Sequence, residues 1–400
     1  METLKLKKDL YWCGVQDPNL RVFDVIMETK YGTSYNSFLL KGSEKTVIFE
    51  TVKLGFFDEY IEELSKMTDV NKIDYIIVSH TEPDHAGSIE KFLEINPDVT
   101  IIGTSIAINF LKNIVEKDFK NIAIKDGETI SLGDKTLKFI TAPNLHWPDT
   151  MFTYWEEEKV LFTCDAFGEH YSFDGVLRSK LTDTEGYNDS FKFYFDTIMG
   201  PFVFPHVANA MKKIEGLQVD LVCTGHGPVL DSHIDEVFDN YRKWSTPQVK
   251  DKKKIVVAYV SAYGFTKTLA ETIVEGIKEN KDVEVSLYDI ESADKEELNK
   301  ELASCDGFLI GTPTIVGQPL KPAMELTLEM FAPIYKGKYA SAFGSFGWSG
   351  EAVTFMLERF KQISLKTVDG LKVKFKPFKE DLENAKAFGI NFANVVCNKE

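Results

Sequence analysis

The spacing of hydrophobic residues in the first 245 positions predicts short strands near the N-terminus and then strands that alternate with helices. Apolar residues at helical spacing predict helices in FFDEYIEELSKM, GSIEKFLEINP and SIAINFLKNIV. Short apolar runs predict strands, namely RVFDVIM, YNSFLLKG, KTVIFETV, DYIIVSH, TIIGTS, TLKFITAP, KVLFTCD and DLVCTGH. This part of the chain is therefore expected to form a sheet-based domain with helices packed on it.

The pattern changes near residue 250. The segment WSTPQVKDKKK (244–254) is polar, basic and contains Pro247, which is typical of a domain linker. After it, the strand-like runs KIVVAYV, VEVSLYDI, CDGFLIGTP, YASAFGSFG and LKVKFKP alternate with helical segments that include TKTLAETIVEGIKEN and EDLENAKAFGINFANVVC. Such alternation predicts a doubly wound parallel sheet of about five strands. We therefore predict two domains, residues 1–248 and 254–400.

Residues that can bind metal follow several predicted strands of the first domain. The motif H-T-E-P-D-H comes directly after DYIIVS, and further candidates follow KFITAPNL, VLFTC and LVCTG. Because ligands at strand ends can converge on one rim of a sheet, we expect a single site. One ion would be bound by His80, Glu82, His146 and Asp165, and a second by Asp84, His85, His226 and the shared Asp165.

The types of these ligands indicate iron rather than zinc. Glu82 stands where a zinc hydrolase with a related motif would carry a third histidine. Two histidines plus carboxylates for each ion, with room for exogenous ligands, are typical of non-haem iron. The three carboxylates and one bridging hydroxide would neutralise two ferrous ions, which matters in a buried site.

The local conformation of the motif can also be predicted. In an extended segment, positions 80, 82 and 84 would face one side, and Pro83 favours an extended conformation at Glu82. His85 would then turn in from the start of the next helix. Outside this set, His170 is a candidate hydrogen-bond partner behind the ligands, five residues after Asp165. The other histidines, His206 and His233, are expected at the surface.

Three loops after predicted strands of the second domain favour a phosphate-bearing flat ligand. S-A-Y-G-F-T opens directly into a helix, with Ser261 and Thr266 offering hydroxyl groups and Gly264 allowing a tight turn. The motifs of dinucleotide folds and P-loops are missing, so a mononucleotide fits better. The loops 311–319 and 344–351 are rich in Gly, Thr and aromatic residues, and Trp348 could stack on a ring.

Composition narrows the class of protein. The formal charge of −16 disfavours nucleic acid and anionic membrane as partners. The charged N-terminus, METLKLKKDLYW, is unlike a signal peptide, and no run is long enough to span a membrane. Five widely spaced cysteines without a C-x-x-C pair argue against a disulfide framework, a zinc ribbon and a built-in rubredoxin site. A cytoplasmic location with reduced thiols is expected.

The two halves together resemble the flavodiiron proteins, also called A-type flavoproteins. The resemblance covers nearly the whole chain and is carried by HTEPDHAGS, TAPNLHWPDTM, TCDAFG, CTGHGP, SAYGFT, GTPT and GSFGWSGEA. It implies an α/β and α+β architecture. The N-terminal domain would be a metallo-β-lactamase-like αββα sandwich with a diiron centre. The C-terminal domain would be flavodoxin-like and bind FMN.

The resemblance also implies site residues. It gives the same division of metal ligands as above, and it places Tyr194 beside the diiron pocket. Asp24 occupies the stretch where some relatives have a pocket histidine, so a substrate preference inferred from that histidine does not carry over. The residues implied in FMN contact are Ser261, Ala262, Tyr263, Gly264, Phe265, Thr266, Thr312, Pro313, Thr314, Ile315, Ser345, Phe346, Gly347, Trp348, Ser349 and Gly350.

The implied reaction is the reduction of dioxygen to water, of nitric oxide to nitrous oxide, or of both, and the sequence does not rank them. The resemblance implies a head-to-tail homodimer, or a dimer of dimers, in which the FMN of one subunit faces the diiron site of the other. An external electron donor is required, such as a small rubredoxin that is itself reduced at the expense of NADH. Two other classes are kept open: a metallo-β-lactamase-type zinc hydrolase with a flavodoxin-like accessory domain, and an electron carrier or sensor with a structural metal.

Overall fold

The computed structural model describes residues 4–24, 27–246 and 251–398. The chain divides into two compact units, Met1–Pro247 and Gln248–Glu400. The predicted linker overlaps defined elements at both ends, because a helix continues to Ser245 and a strand begins at Lys253, while residues 247–250 lie outside the described ranges. The domain limits of 1–248 and 254–400 stay a prediction.

The first unit contains sixteen strands and seven α-helices in its described residues. The strands are β1 (Leu4–Lys7), β2 (Leu10–Trp12), β3 (Val15–Asp17), β4 (Val22–Phe23), β5 (Met27–Glu28), β6 (Thr33–Tyr35), β7 (Phe38–Lys41), β8 (Thr46–Phe49), β9 (Tyr75–Ile77), β10 (Thr100–Thr104), β11 (Lys120–Ile124), β12 (Thr129–Ser131), β13 (Thr136–Thr141), β14 (Met151–Trp155), β15 (Val160–Cys164) and β16 (Leu221–Thr224). The helices are α1 (Phe57–Met67), α2 (Pro83–Ala86), α3 (Ile89–Ile95), α4 (Ser105–Leu111), α5 (Thr184–Tyr194), α6 (Ala208–Lys213) and α7 (Ile234–Ser245).

Two sheets pack face to face in this unit. One has the order β1-β2-β7-β8-β9-β10-β11 and the other β12-β13-β14-β15-β16. Between them, Phe49 and Phe162 stack with ring centroids 3.6 Å apart. A second apolar cluster packs α1, α3 and α4 on the outer face of the first sheet, and a third packs α5 to α7 on that of the second. The four layers are helix, sheet, sheet and helix, so the expected αββα sandwich is confirmed.

One predicted strand of the first unit is wrong. The run RVFDVIM forms two short antiparallel strands, β4 and β5, instead of one continuous strand. Asp24 follows β4 with a φ of 48°, a left-handed conformation that Asp tolerates better than most residues. The turn therefore places Asp24 at a bend, and residues 25 and 26 of the run lie outside the described part of the chain.

The second unit is built on one parallel sheet. Its strands are β17 (Lys253–Tyr259), β18 (Val283–Asp289), β19 (Gly307–Gly311), β20 (Tyr339–Phe346), β21 (Lys366–Thr367) and β22 (Leu371–Lys374). Its helices are α8 (Phe265–Ile277), α9 (Lys295–Ser304), α10 (Lys321–Leu328), α11 (Ala332–Tyr335), α12 (Glu351–Gln362) and α13 (Lys379–Val396). The order is β18-β17-β19-β20, with β21 and β22 both pairing to the outer side of β20.

Apolar clusters cover both faces of this sheet, so the predicted doubly wound fold is confirmed. The predicted number of about five strands agrees with five positions across the sheet, the last of which is shared by β21 and β22.

Helices α8 and α13 cross closely at two glycines. A Cβ added at Gly276 would lie 2.1 Å from the carbonyl oxygen of Lys386, and one added at Gly389 would lie 2.2 Å from that of Ile273. Glycine therefore lets α8 and α13 pack backbone to backbone.

Candidate metal centre and flavin site

The structure brings all seven predicted metal ligands together at one end of the sandwich. His80 follows β9, His146 follows β13, Asp165 follows β15 and His226 follows β16. One group, within which potential ligand atoms lie no more than 4.8 Å apart, is formed by His80, Glu82, His146 and Asp165. A second such group is formed by Asp84, His85 and His226.

Asp165 lies between the two groups. Its Oδ2 is 3.4 Å from the Nε2 atoms of both His80 and His146. Its Oδ1 is 3.0 Å from Nε2 of His85 and 3.5 Å from Nε2 of His226. One oxygen thus faces each pair of imidazoles, which is the arrangement that a carboxylate bridging two cations requires.

The other two carboxylates each serve one group. Glu82 Oε2 is 3.1 Å from Nε2 of His80 and 3.0 Å from Nε2 of His146. Asp84 Oδ2 is 3.0 Å from Nε2 of His226 and 3.4 Å from Nε2 of His85. All four imidazoles therefore point the same ring nitrogen at the centre.

The extended conformation predicted for positions 80, 82 and 84 is correct only as far as Glu82, which has φ −57° and ψ 139°. At Asp84 the prediction is wrong, because Pro83 begins the short helix α2. The fixed φ of proline suits the first position of a helix as well as restricting the residue before it. Asp84 and His85 therefore approach the centre from a helical turn. The carbonyl oxygen of His85 is fixed by the N–H of Thr51 at 2.9 Å.

Residues behind the ligands fix the direction of two histidine rings. Nδ1 of His80 lies 3.3 Å from Oδ1 of Asp149, whose Oδ2 accepts bonds from the N–H and hydroxyl of Thr81. Nδ1 of His226 lies 2.6 Å from the carbonyl oxygen of Ser34. Such contacts orient a ligand histidine and raise its basicity. Asp149 was not predicted from the sequence, where the one signal for it is a carboxylate three residues after His146.

The electrostatics of the centre fit cations. Both oxygens of Asp84 are buried and accept no well-aligned hydrogen bond, although Oδ2 lies 3.0 Å from Nε2 of His226. Burial raises the pKa of Asp165, but the charge of His85 and a hydrogen bond from His146 outweigh it and hold that pKa well below its usual range. Buried carboxylate oxygens that face four imidazole nitrogens supply the hard and intermediate donors that iron prefers.

The histidines show the complementary effect. Burial lowers the pKa of His80, but hydrogen bonds to Asp149 and Glu82 outweigh it and raise the pKa to about 10. For His146, burial is outweighed by bonds to Asp165 and Glu82, and the pKa is about 10. For His85, burial is outweighed by the charges of Asp84 and Asp165, and the pKa is about 9. Without metal, these protonated histidines therefore supply the positive charge at the centre.

Metal loading is expected to release protons, because a histidine must be neutral to bind a metal. At pH 7.5 the three raised pKa values mean that loading should release about three protons per chain. Titration calorimetry in two buffers of different ionisation enthalpy measures this number, and His146→Ala should lower it by about one. Metal loading without proton release would contradict the assignment of these histidines as ligands.

The same pKa shifts predict how the stability of the metal-free protein depends on pH. The protein should be stabilised below pH 6.5 and should lose this contribution as the pH rises through 9 to 10.

Three further predicted residues lie beside this centre. His170 is buried, with its ring centroid 4.7 Å from that of His226. Tyr194 is also buried and meets the His170 ring edge-on at 5.0 Å. Burial and then the charges of Glu82 and Asp84 raise the pKa of Asp24, which places this side chain close to the ligand carboxylates.

The remaining histidines stay away from the centre. His233 is exposed and pairs with Glu236 on helix α7. His206 is only half-buried and contacts the Asn144 side chain at 3.3 Å. In both cases the prediction of an ordinary position outside the metal site agrees with the structure.

The second unit has a cavity of about 540 Å³ at the ends of β17, β19 and β20. Its predicted wall residues are Tyr263, Phe265, Pro313, Thr314, Ile315, Ser345, Phe346, Gly347, Trp348 and Ser349, and the structure adds Val316, Gly317 and Phe375. The wall is mostly apolar, and Trp348 is 89% exposed. An open, aromatic cavity of this kind can hold a flat ring.

The polar end of this site is the first turn of helix α8. Gly264 precedes the helix in a left-handed conformation, with φ 81°. Ser261 Oγ accepts a bond from the N–H of Lys267, and the hydroxyls of Thr266 and Ser345 lie 3.2 Å apart. A helix N-terminus flanked by hydroxyls suits a phosphate group. Six of the predicted residues belong to the same loops but do not line the cavity, namely Ser261, Ala262, Gly264, Thr266, Thr312 and Gly350.

Comparisons with known proteins agree with both halves of this description. Residues 33–227 match the ODP family of β-lactamase-like domains, and residues 257–389 match the flavodoxin family. The flavo-diiron protein FprA2 of Clostridium acetobutylicum is 41% identical over 402 residues, which cover 99% of this chain and 100% of that relative. The type A flavoprotein of Rhodobacter capsulatus is 37% identical over 96% of this chain and 89% of its own length.

Solved structures give the same result. The flavodiiron protein of Giardia intestinalis superposes with a TM-score of 0.70 at 26% identity, over 100% of this chain and 97% of its own. The rubredoxin oxygen:oxidoreductase of Desulfovibrio gigas superposes with a TM-score of 0.71 at 25% identity, over 99% of both chains. Within the described residues, no helix is long and apolar enough to cross a membrane. The chain therefore belongs to the flavodiiron proteins, the type A flavoproteins that combine FMN with a pair of non-haem irons.

Proposed function

We propose that this protein reduces dioxygen to water, nitric oxide to nitrous oxide, or both, with electrons that reach a diiron centre through FMN. One observation carries the proposal: Asp165 lies between two groups of ligands, and Glu82 completes the first group where a zinc hydrolase would use histidine. Such a reaction would remove oxygen or nitric oxide from the cell. The five cysteines all lie in the described part of the chain and form no disulfide, which supports a cytoplasmic location.

We assign one iron to His80, Glu82, His146 and Asp165, and the other to Asp84, His85, His226 and Asp165. FMN is assigned to the cavity of the second unit, with its ring against Trp348 and its phosphate at the start of α8. The loops that hold it are residues 261–266, 312–315 and 345–350. Support comes from the distances within the metal centre and from the cavity wall.

The pairing of the two cofactors follows from the number of electrons that the reaction needs. When bound, two ferrous ions and reduced FMN hold four electrons between them, enough to reduce dioxygen fully or to couple two molecules of nitric oxide with electrons to spare. The chain supplies position and charge. Asp149 and Ser34 hold the rings of His80 and His226 in place, and the low pKa of Asp165 keeps its carboxylate ionised between the two ions.

The test of the proposed function starts from protein that has been reduced in the absence of oxygen. The protein is reduced anaerobically through reduced rubredoxin, and the consumption of dioxygen and of nitric oxide is measured separately. Consumption of at least one gas, far faster than by free FMN, is expected. The same protein loaded with zinc is the control and should be inactive. Turnover no faster than free FMN would instead support an electron carrier or sensor. The hydrolase alternative finds no support among the relatives compared above, whose names are those of flavo-diiron and type A flavoproteins.

A small acidic protein such as rubredoxin, reduced in turn at the expense of NADH, is proposed as the donor. The name of the Desulfovibrio gigas relative supports rubredoxin. So does a strip of four exposed lysines next to the flavin cavity, Lys372, Lys374, Lys376 and Lys379, in a chain that is otherwise acidic. The strip flanks Phe375, which lines the cavity. Opposite charges accelerate the encounter of two proteins.

Reversing charge on this strip is expected to slow the donor. For Lys374→Glu combined with Lys376→Glu, the second-order rate constant with reduced rubredoxin should fall about tenfold or more at low salt, and the difference should shrink at high salt. Photochemical reduction of the FMN should be unchanged. Lys295→Glu combined with Lys300→Glu, on exposed positions of α9, is the matched control. Equal slowing in both double variants would contradict a specific donor surface.

A head-to-tail homodimer, or a dimer of dimers, is proposed because FMN and iron must lie close together for fast transfer. Co-expression of a His226→Ala chain with an FMN-deficient Thr266→Asp chain should restore roughly a quarter of the wild-type activity, since half of the dimers are mixed and each of these has one intact pair. Each variant alone should be inactive. If the mixed dimers show no activity, electron transfer between subunits is wrong.

A further inference from the structure

The loop that carries His226 is held by a side chain from a distant part of the chain, Asn36. Its Nδ2 atom donates to the carbonyl oxygen of Thr224 at 3.0 Å and to that of Gly227 at 2.9 Å. The backbone N–H of Asn36 donates to the carbonyl oxygen of Gly225 at 2.8 Å. Asn36 is therefore bonded to the backbone on both sides of His226.

The chemistry of its partners fixes the orientation of the Asn36 amide. Its Oδ1 atom accepts a bond from Nε1 of Trp12 at 2.9 Å, and an indole nitrogen can only donate. A backbone carbonyl oxygen can only accept, so the two bonds of Nδ2 require the same orientation. A flipped amide would place donor against donor and acceptor against acceptor. All three side-chain bonds are therefore assigned by the partners alone.

Asparagine is the residue that this position requires. Asn36 is fully buried, between strands β6 and β7, and both amide hydrogens and the amide oxygen have partners. Among side chains of this size, only asparagine offers two donors and an acceptor. Removing the side chain would leave two carbonyl oxygens and an indole N–H unpaired in the interior, which is costly. The loop would then move towards other partners.

A movement of this loop would reach the metal centre directly. A Cβ added at Gly225 would lie 2.8 Å from Cε1 of His85, so the loop backbone packs against the ring of a second ligand. On the other side, Nε2 of His226 lies 3.0 Å from Oδ2 of Asp84. The position of the loop thus sets the geometry of one ligand group.

We propose that Asn36 is a positioning residue for the iron that His226 binds. Its hydrogen bonds go to the backbone of the loop, so its effect on the iron passes through the position of the His226 ring. Trp12 acts one step further away, because its indole N–H holds the Asn36 amide in place. This inference rests on the proposed function, since it takes His226 as an iron ligand.

Asn96 is a matched control in the same unit. It is also buried, and its Nδ2 atom donates to the carbonyl oxygens of Val70 at 3.0 Å and Ile73 at 2.9 Å. Its Oδ1 atom accepts from the N–H of Asp98 at 3.2 Å. These residues precede strands β9 and β10, whereas His80 follows β9 at the end where the ligands meet. The two asparagines are bonded alike but hold different ends of the sheet.

The test measures iron release from the reduced holoenzyme to a chelator, in the absence of oxygen. Asn36→Ala should release one of its two irons about tenfold or more faster than wild type. Asn96→Ala should release both irons at the wild-type rate, although both variants should lower the midpoint of thermal unfolding by similar amounts. Trp12→Phe keeps both donors of Asn36 and should speed the release of one iron about two- to threefold.

Mössbauer spectra of the reduced, iron-loaded protein give a second readout, which a general loss of stability does not change. The signal of one iron should differ from wild type in Asn36→Ala, because the His226 ring has moved. Asn96→Ala should give the wild-type spectrum. Neither readout depends on turnover.

Wild-type rates of iron release in Asn36→Ala would overturn the proposal, and so would an equal acceleration in Asn96→Ala. If Asn36→Ala fails to fold, Trp12→Phe decides, because a wild-type rate in that variant contradicts the proposal as well. All of these outcomes leave the proposed function intact. If the wild-type protein purified from its cells contained no iron at all, the proposed function itself would fail.

Discussion

Replacing Asp165 by asparagine is expected to empty both metal positions and to abolish gas reduction. The carboxylate of Asp165 is the one group whose two oxygens face both pairs of histidines. Asparagine keeps the shape but removes the negative charge from a buried site, and breaking a buried charge pair costs about 3–5 kcal/mol. Activity should fall by about two to three and a half orders of magnitude, since each 1.4 kcal/mol is a factor of ten. Iron content by elemental analysis and gas consumption are the two measurements.

Two further variants make this result interpretable. Asp149→Asn alters a residue behind His80, so it should lower iron affinity by about 10- to 100-fold without emptying the site. Asp126→Asn changes a surface carboxylate away from the centre and should leave iron content unchanged. FMN content should be normal in all three, because the flavin cavity belongs to the other unit. An Asp165→Asn protein that keeps two irons would show that the carboxylate does not bridge them.

Replacing Thr266 by aspartate is expected to remove FMN and leave the iron in place. Thr266 is buried in the first turn of α8, beside the Ser345 hydroxyl where the phosphate is assigned. A carboxylate there occupies the anion site and repels a phosphate, since two like charges at about 4 Å cost roughly 4 kcal/mol near a protein surface. FMN affinity should therefore fall about a hundredfold or more. The flavin absorbance of the purified protein and a fluorescence titration with FMN measure this.

The matched control for this variant is Thr268→Asp. Thr268 lies in the same turn of the helix but is exposed. A negative charge near a helix N-terminus favours the helix in both variants, so Thr268→Asp controls for the effect of the added charge on α8. Thr268→Asp should bind FMN within about twofold of wild type. Equal loss of FMN in both variants would move the phosphate away from Thr266.

Most of the metal site could be predicted from the sequence, because each ligand follows a recognisable strand. The short runs before His80, Asp165 and His226 form strands at the predicted positions. Glu82 and Asp84 were predicted from residue type within one motif. The helical turn at Asp84 was not, because proline restricts the residue before it and also favours the first position of a helix.

The remaining features depend on contacts between distant parts of the chain. The contact between His226 and the backbone carbonyl oxygen of Ser34 could not be predicted, because every residue type has this carbonyl group. In the sequence, Asp149 cannot be distinguished from an ordinary turn residue, and only the fold places it beside His80. The sandwich itself depends on pairs such as Phe49 and Phe162, which belong to different sheets. Phe375 lines the flavin cavity from the loop after β22, which has none of the glycine and threonine that identified the other loops.

The central claim is that a carboxylate-bridged iron pair is served by FMN in the same protein. It is tested most directly by the metal and flavin content of the protein purified without oxygen from cells supplied with both iron and zinc. We expect two irons and one FMN for each chain, with little zinc. Two zinc ions in the Asp165 centre, or a second unit without flavin, would contradict it.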